Sequence, residues 1–194
     1  MILGCDFPKK MITYIGTNHY DPKGPKRLET LLNYLSPDII TVESSAIYQK
    51  LVKHEKQLSP NLSSMHKRFH YEWDVSKKYA KKHSIQIHPI DDPQFAYKIG
   101  TMPLIIHRRS DEKLYGLDMI YGVLKRLGEP FFGHRDRYMA DRIREFTGYK
   151  NLIHISGAGH VVPLPKRIKR KNLNSPLKSP NVILLPEADE LCNN

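Results

Sequence analysis

Two histidines, each three residues beyond a glycine that closes an apolar run, are the side chains whose spacing points to chemistry. The first ends Ile12-Thr13-Tyr14-Ile15-Gly16-Thr17-Asn18-His19, and the second ends Leu152-Ile153-His154-Ile155-Ser156-Gly157-Ala158-Gly159-His160. An imidazole can ligate a metal, or take and return a proton near neutral pH. Two other apolar runs stop at carboxylates: Asp38-Ile39-Ile40-Thr41-Val42-Glu43 and Ile85-Gln86-Ile87-His88-Pro89-Ile90-Asp91-Asp92. Two imidazoles with one or two carboxylates form a mixed N/O donor set that suits Zn, Mn, Co or Fe. Taken singly, a strand-end carboxylate is more often a helix cap, and a strand-end histidine more often a hydrogen-bonded packing residue. The joint pattern of His19, Glu43, Asp91 and His160 carries more weight than any member of it.

The elements that must position these groups follow from residue patterning. A β-branched, apolar run reads as a buried strand. A glycine at its end lets the chain turn sharply and brings backbone close to whatever lies above. Leu28, Leu31, Leu32 and Leu35 fall at i, i+3, i+4, i+7, one apolar face of a helix. Pro25 suits its opening turn, and Ser36-Pro37 stops it. Strand, helix and strand make a βαβ unit, for which a right-handed crossover is expected.

Residues 46–65 are polar and lysine-rich, with Pro60 interrupting, and read as a helix followed by a loop. Met65, Phe69, Trp73, Ser76 and Ala80 then mark a helix with Glu72 beside its buried stripe. In the strand that follows, Pro89 removes a ladder donor, which predicts an edge position or the strand's end. Residues 93–110 are irregular. Leu114, Leu117, Tyr121 and Leu124 line a helix closed by Gly128 and Pro130. Another helix runs from Arg135 to Phe146, with Met139, Ile143 and Phe146 facing inward. Asp136 lies one turn before Met139 on that face, and Arg135 beside it. Asn181 to Leu185 is a last apolar run. Strands alternating with helices predict an α/β protein with a mostly parallel sheet flanked by helices. In such sheets functional groups gather just outside the carboxyl ends of the strands.

The totals bound the partners. A chain of 194 residues suits one domain. Its 40% hydrophobic and 26% charged content is ordinary for a globular protein. Cys5 and Cys192 form no framework, so a reducing compartment, the cytoplasm, is expected. No apolar run reaches the length of a membrane span. A net charge of +11 invites nucleic acid or an anionic surface. No aromatic-studded basic strand accompanies it, so a nucleic-acid role is not favoured. The basic run Lys166-Arg167-Ile168-Lys169-Arg170-Lys171 reads as a solvated linker. His66, His70, His83, His88, His107, His134 and His154 show no convergent spacing and read as surface or core residues.

Gly16-Thr17-Asn18-His19 followed by Pro37-Asp38-Ile39-Ile40-Thr41-Val42-Glu43 resembles the opening of the TraB/PrgY/Tiki family. Further blocks stand in that family's order: Glu72 ahead of an Ala/Lys helix, Ile90-Asp91, Arg135-Asp136 before Met139-Ala140, and Gly157-Ala158-Gly159-His160. Together they cover roughly residues 11–165. The wider clan includes erythromycin-esterase-like proteins and ChaN-like haem-binding proteins, all α/β. The resemblance implies a TraB-like domain over residues 1–165, beyond which the residue pattern gives a basic Ser/Pro linker over 166–180. A C-terminal strand and tail over 181–194 is expected to pack on the same domain. Asn18 departs from the small residues common at that place, and the membrane segments of some relatives have no counterpart.

What the resemblance implies for function is a pocket built on His19, Glu43 and His160. The implied metal ligands are His19, His160, Glu43 and Asp91. Glu43, Glu72 and Arg135 would be catalytic, and Gly16, Asn18, Gly157 and Gly159 would contact substrate. Tiki-type members imply a metal-dependent peptidase, in which a bound divalent ion lowers the pKa of its water toward ~7. Glu43 or Glu72, whichever is not a ligand, would take the proton, and Arg135 would hold a substrate carboxylate or an oxyanion. An ion pair between Arg135 and Asp136 is an equal alternative. Esterase-like members imply the same His/Glu pair acting without metal. The expectation is therefore a metal-assisted hydrolase of peptide or ester bonds, with a non-catalytic haem- or peptide-binding module as the alternative. A basic nucleic-acid-binding protein ranks third.

Overall fold

The computed structural model describes residues 11–18, 21–44, 71–93, 130–146, 148–161 and 181–191. Strand β1 (Met11–Thr17) leads through helix α1 (Gly24–Leu35) to strand β2 (Ile39–Val42). Helix α2 (Tyr71–His83), strand β3 (Gln86–Pro89), helix α3 (Pro130–Arg144) and strand β4 (Asn151–Gly157) follow. A 3-10 turn, Ala158–His160, continues directly from β4. Strand β5 (Asn181–Leu184), a second 3-10 turn (Leu185–Glu187) and a short helix α4 (Ala188–Leu191) complete the described chain.

The five strands form one sheet in the order β3-β2-β4-β1-β5, and every neighbouring pair is parallel. The expected α/β class with a parallel sheet is what the chain adopts. The order has a consequence for the βαβ unit: β1 and β2 are joined by α1 but are not neighbours, because β4 lies between them. β4 pairs with β1 from Met11↔Asn151 to Thr17↔Gly157, and with β2 from Ile39↔Leu152 to Val42↔Ile155. A strand with helices over both faces must be apolar on both, which is why Leu152, Ile153 and Ile155 are consecutive or nearly so and all buried. β3 is an edge strand and Pro89 is its last residue, both as its missing donor requires.

Alternation along the strands divides the core in two. Ile15, Ile40 and Ile153 pack with Leu28, Leu31 and Leu32 of α1 and with Tyr71 and Tyr79 of α2. Ile12, Tyr14, Ile39 and Leu152 pack with Met139 and Ile143 of α3. The leucine stripe of α1 and the inner face of α3 are thus the faces that the residue spacing predicts. Pro25 lies in the first turn of α1, and Ser36 ends it at φ 46°, its N–H donating to the carbonyl of Leu32. The side-chain amide of Asn151 donates to the carbonyl of Leu35 at 2.6 Å, tying that helix end to the start of β4. No helix among the described residues is long and apolar enough to cross a membrane. The helices expected over residues 46–65 and Leu114–Leu124, the positions Met65 and Phe69, and the linker 166–180 lie outside the described residues.

Because all strands run the same way, their carboxyl ends share one rim. Gly16 sits near that rim inside β1, without the sharp turn expected of it: no described glycine has positive φ. Its need is for space. A Cβ at Gly16 would lie 2.9 Å from Leu184 Cδ2, 3.1 Å from Val161 Cγ1 and 3.3 Å from the Ala158 backbone. The absent side chain lets the Ala158–His160 turn settle over the end of β1. Gly16→Ala should therefore lower unfolding free energy by about 1–3 kcal/mol in urea titration. A cost below about 0.5 kcal/mol would show that the turn yields without strain.

Candidate active site

Four separate pieces of chain bring charged side chains together at the rim. Glu43 follows β2 directly, and its N–H donates to the carbonyl of Ile155 at 2.8 Å, extending the ladder by one bond. Ile90 and Asp91 follow β3 and continue its pairing through N–H bonds to Val42 (3.1 Å) and Ser44 (2.9 Å). Arg135 and Asp136 are consecutive on α3. His160 closes the 3-10 turn that leaves β4.

Arg135 is the hub. Its Nε donates to Asp91 Oδ1 at 2.7 Å and its Nη2 to Asp91 Oδ2 at 2.5 Å, a two-pronged grip on one carboxylate. Nη2 also donates to Glu43 Oε1. Nη1 stands 3.1 Å from His160 Nε2. The second oxygen of Glu43 accepts the N–H of Gly157 at 2.6 Å, and His160 Nε2 is 3.3 Å from Glu43 Oε1. On its other side, His160 Nδ1 donates to Asp136 Oδ1 at 2.6 Å. Arg135 is only 4% exposed and His160 7%, so this network is shielded from water. Shielded charges keep their mutual attraction but lose their hydration, and they persist only when paired and hydrogen-bonded.

The electrostatics follow from that pairing. Burial alone would pull the Arg135 proton off, but Glu43 and Asp91 outweigh it and hold the guanidinium charged more firmly than usual. Burial also works against a charged His160. The Glu43 carboxylate and the hydrogen bonds to Asp136 and Glu43 overcome it, against the opposing charge of Arg135, and the ring holds its proton above the ordinary histidine range. His154, buried in β4 beneath the cluster, goes the other way. Burial drives its pKa down to about 3, with Glu43 opposing and His160 adding to the fall. Its Nδ1 lies 3.1 Å from Thr41 Oγ1, and its Nε2 has no hydrogen-bond partner among the described residues.

Beside the cluster lies a cleft walled by Thr17, Glu43, Glu72, Trp73 and Gly157. Glu43 is the residue common to cleft and cluster. Glu72, from the first turn of α2, is 5% exposed and accepts the Thr17 hydroxyl at 2.8 Å. Thr17 faces Gly157 in the strand register, so β1 and β4 each supply a donor to one of the two glutamates. Tyr71 O–H and Asp21 N–H both donate to the carbonyl of Asn18 (3.2 and 3.0 Å), fixing the chain where it leaves β1.

The expected site residues fall into three groups. Glu43, Asp91, Arg135 and His160 are in direct contact, and Glu72 lines the adjoining cleft. Of the expected substrate contacts, Gly157 lines the cleft, while Gly16 and Asn18 are buried supports and Gly159 lies within the 3-10 turn. His19 is outside the described residues.

Three of the four expected metal ligands, Glu43, Asp91 and His160, lie among the described residues and meet around Arg135. Glu43, Asp91 and His160 turn their donor atoms to Arg135, Gly157 and Asp136. Among the described residues no group of three or more His, Cys, Asp or Glu is arranged to hold a metal. In this arrangement Arg135 engages a donor atom of each of Glu43, Asp91 and His160. In place of an ion pair between neighbours, Arg135 reaches the strand-end acids and Asp136 takes His160. The pairing of Asp136 with His160, and of Thr17 with Glu72, is not given by the sequence, although both residues stand in blocks it marks. Each is an ordinary polar residue whose role depends on how two distant elements pack.

Fold and site together define a class: a parallel α/β protein with an Arg/His/carboxylate cluster buried at the carboxyl rim. No family model, curated protein or solved structure matches the chain.

The two histidines make opposite contributions to stability with pH. Unfolded, His154 takes a proton at ~6.5. Folded, it does so only at about 3. Between those values the unfolded chain binds more protons, so stability rises with pH. His160 holds its proton more tightly when folded, so its contribution is full below ~6.5 and is lost as pH rises through its folded value. Urea midpoints measured across pH should therefore peak in mild acid, and His154→Gln should flatten the limb below ~6.5. A profile that falls from pH ~4 to ~6 would contradict this assignment.

Proposed function

We propose that the protein is a metal-independent, erythromycin-esterase-like hydrolase of ester or peptide bonds, acting in the cytoplasm, with Glu43 as the group that activates water. The supporting observation is that Glu43 alone belongs both to the cleft and to the buried cluster, where Arg135, Gly157 N–H and His160 fix both of its oxygens. A carboxylate locked in one orientation is a ready acceptor for a proton from a water in the cleft. As the water's O–H bond breaks, its oxygen bonds to the scissile carbonyl carbon. Collapse of the tetrahedral intermediate then returns the proton to the leaving alcohol or amine. Glu72, held by Thr17 on the same cleft, orients the water and the entering substrate. Arg135 holds Glu43 in place and, with Asp136, keeps His160 aligned behind it. No step here is routed through a metal, because Glu43, Asp91 and His160 are engaged by Arg135.

A second reading, a ligand-binding module without turnover, draws on the same enclosure. A cluster so fully hydrogen-bonded could serve to shape a rigid cleft for a small molecule or peptide. Haem is the less suitable ligand at this point, since both ring nitrogens of His160 already have partners.

The decisive experiment is a panel of chromogenic esters and aminoacyl amides assayed with wild type, Glu43→Gln and Glu72→Gln, in the presence and absence of chelator. Glu43→Gln should lower kcat about 10²–10⁴-fold while far-UV circular dichroism is preserved. Glu72→Gln should act mainly on KM. Chelator should leave the rate unchanged. Saturable binding of the same compounds with no turnover by wild type would favour the module instead.

A further inference from the structure

Helix α2 carries its cations on one side. Tyr71, Glu72, Ser76, Tyr79 and Ala80 are buried, so the exposed Asp74, Lys77, Lys78, Lys81 and Lys82 mark its solvent face. The lysines form two pairs at i, i+4 spacing, Lys77 with Lys81 and Lys78 with Lys82. Members of a pair stand about 6 Å apart along the helix axis. Like charges at that spacing repel and weaken a helix. The helix dipole favours Lys81 and Lys82, which lie in the last turn, but Lys77 and Lys78 stand a turn earlier. Among the described residues one acid pairs with the four lysines: Glu29 of α1 reaches Lys78 at 3.7 Å, between side chains 53% and 78% exposed. So open a pair adds little. Asp74 shares the face but forms no ion pair with these lysines.

We infer that the solvent face of α2 is a binding site for a nucleic acid, held by its sugar–phosphate backbone. That backbone offers one negative charge per nucleotide in a regular row, which a row of lysines along one helix face can follow. Phosphates placed there would neutralise the cations that α2 itself leaves repelling one another. An acidic peptide has no such fixed repeat. An anionic membrane suits the face less well, because a helix that lies on lipid also inserts apolar side chains. The large exposed apolar residues among the described ones are Tyr34 and Val182, on α1 and β5 rather than α2. The aromatic-studded strands missing from the sequence serve to stack bases. Contact with phosphate needs cations alone and carries no sequence preference. The face lies away from buried Glu72 on the same helix, so the inference does not depend on the hydrolase reading.

Fluorescence anisotropy on the full chain tests it, with a mixed-sequence single-stranded RNA, a DNA duplex of equal length, polyglutamate and phosphatidylserine vesicles as probes. Affinity for nucleic acid should fall as salt rises, with a log–log slope of about −3 for a single strand neutralised by four lysines. Lys77→Gln with Lys81→Gln should reduce that slope by about 1–2 and weaken binding at least ~10-fold near 0.1 M salt. Glutamine keeps the helix propensity, which far-UV circular dichroism would verify. Lys23→Gln with Arg137→Gln removes the same charge from exposed positions on the rest of the surface and should change affinity less than ~3-fold. Binding of either nucleic acid with this lysine dependence supports the inference, and the tighter of the two names its form. Equal losses in the two double variants would overturn it, since net charge alone would then explain binding. So would the absence of binding to both nucleic acids at ~0.05 M salt, or a preference of the same four lysines for polyglutamate or vesicles.

Discussion

A single buried guanidinium holds the carboxyl rim of this sheet together. Arg135 reaches the carboxylates that follow β2 and β3 and the imidazole that follows β4, while itself standing on a helix over the sheet face. Each of those acids would repel its neighbours and lose its hydration if left alone in so enclosed a place. Shared around one fixed cation, they become mutually supporting. The fork geometry of arginine matters here, because three of its nitrogens face three different residues in one plane. A lysine could supply the charge but not the simultaneous aim.

The sheet makes that convergence possible. β4 enters between β1 and β2, so the strand ends bearing Thr17, Gly157 and Glu43 come in direct succession along the rim. A Gly157 N–H that would otherwise be an unused strand end orients Glu43, and Thr17 performs the same service for Glu72. Gly16 contributes by having no side chain. The Ala158–His160 turn settles over β1 where Gly16 has no side chain, since a Cβ there would crowd Ala158 and Val161. Rigid packing below and matched charge above are two halves of one arrangement.

Much of this was written openly in the chain. Strands buried on both faces must be apolar throughout, so Ile39-Ile40 and Leu152-Ile153 announce themselves, and the leucine spacing of α1 does the same for a helix. Glu43, Asp91 and His160 stand out because each interrupts such a run at its end. Strand order was not legible, since the insertion of β4 depends on pairing between residues more than a hundred positions apart, as in Ile39↔Leu152. Nor was the identity of the central cation. Two carboxylates and an imidazole are the same donor types whether they surround a metal or a guanidinium, and only the placement of α3 brings Arg135 among them. Asp136 shows the same limit: its helix carries a second acid, Asp141, and the contact of Asp136 with His160 arises from tertiary packing.

The account rests on Arg135 compensating the acids around it, and a thermodynamic cycle tests that most directly. Unfolding free energies would be measured for wild type, Arg135→Met, and Arg135→Met combined with Glu43→Gln and Asp91→Asn. Removing the guanidinium alone should cost about 3–5 kcal/mol, because it strands two buried carboxylates, and neutralising those carboxylates in the same chain should recover most of the loss. A single substitution that costs less than about 1 kcal/mol, or a combined variant no more stable than Arg135→Met alone, would contradict it.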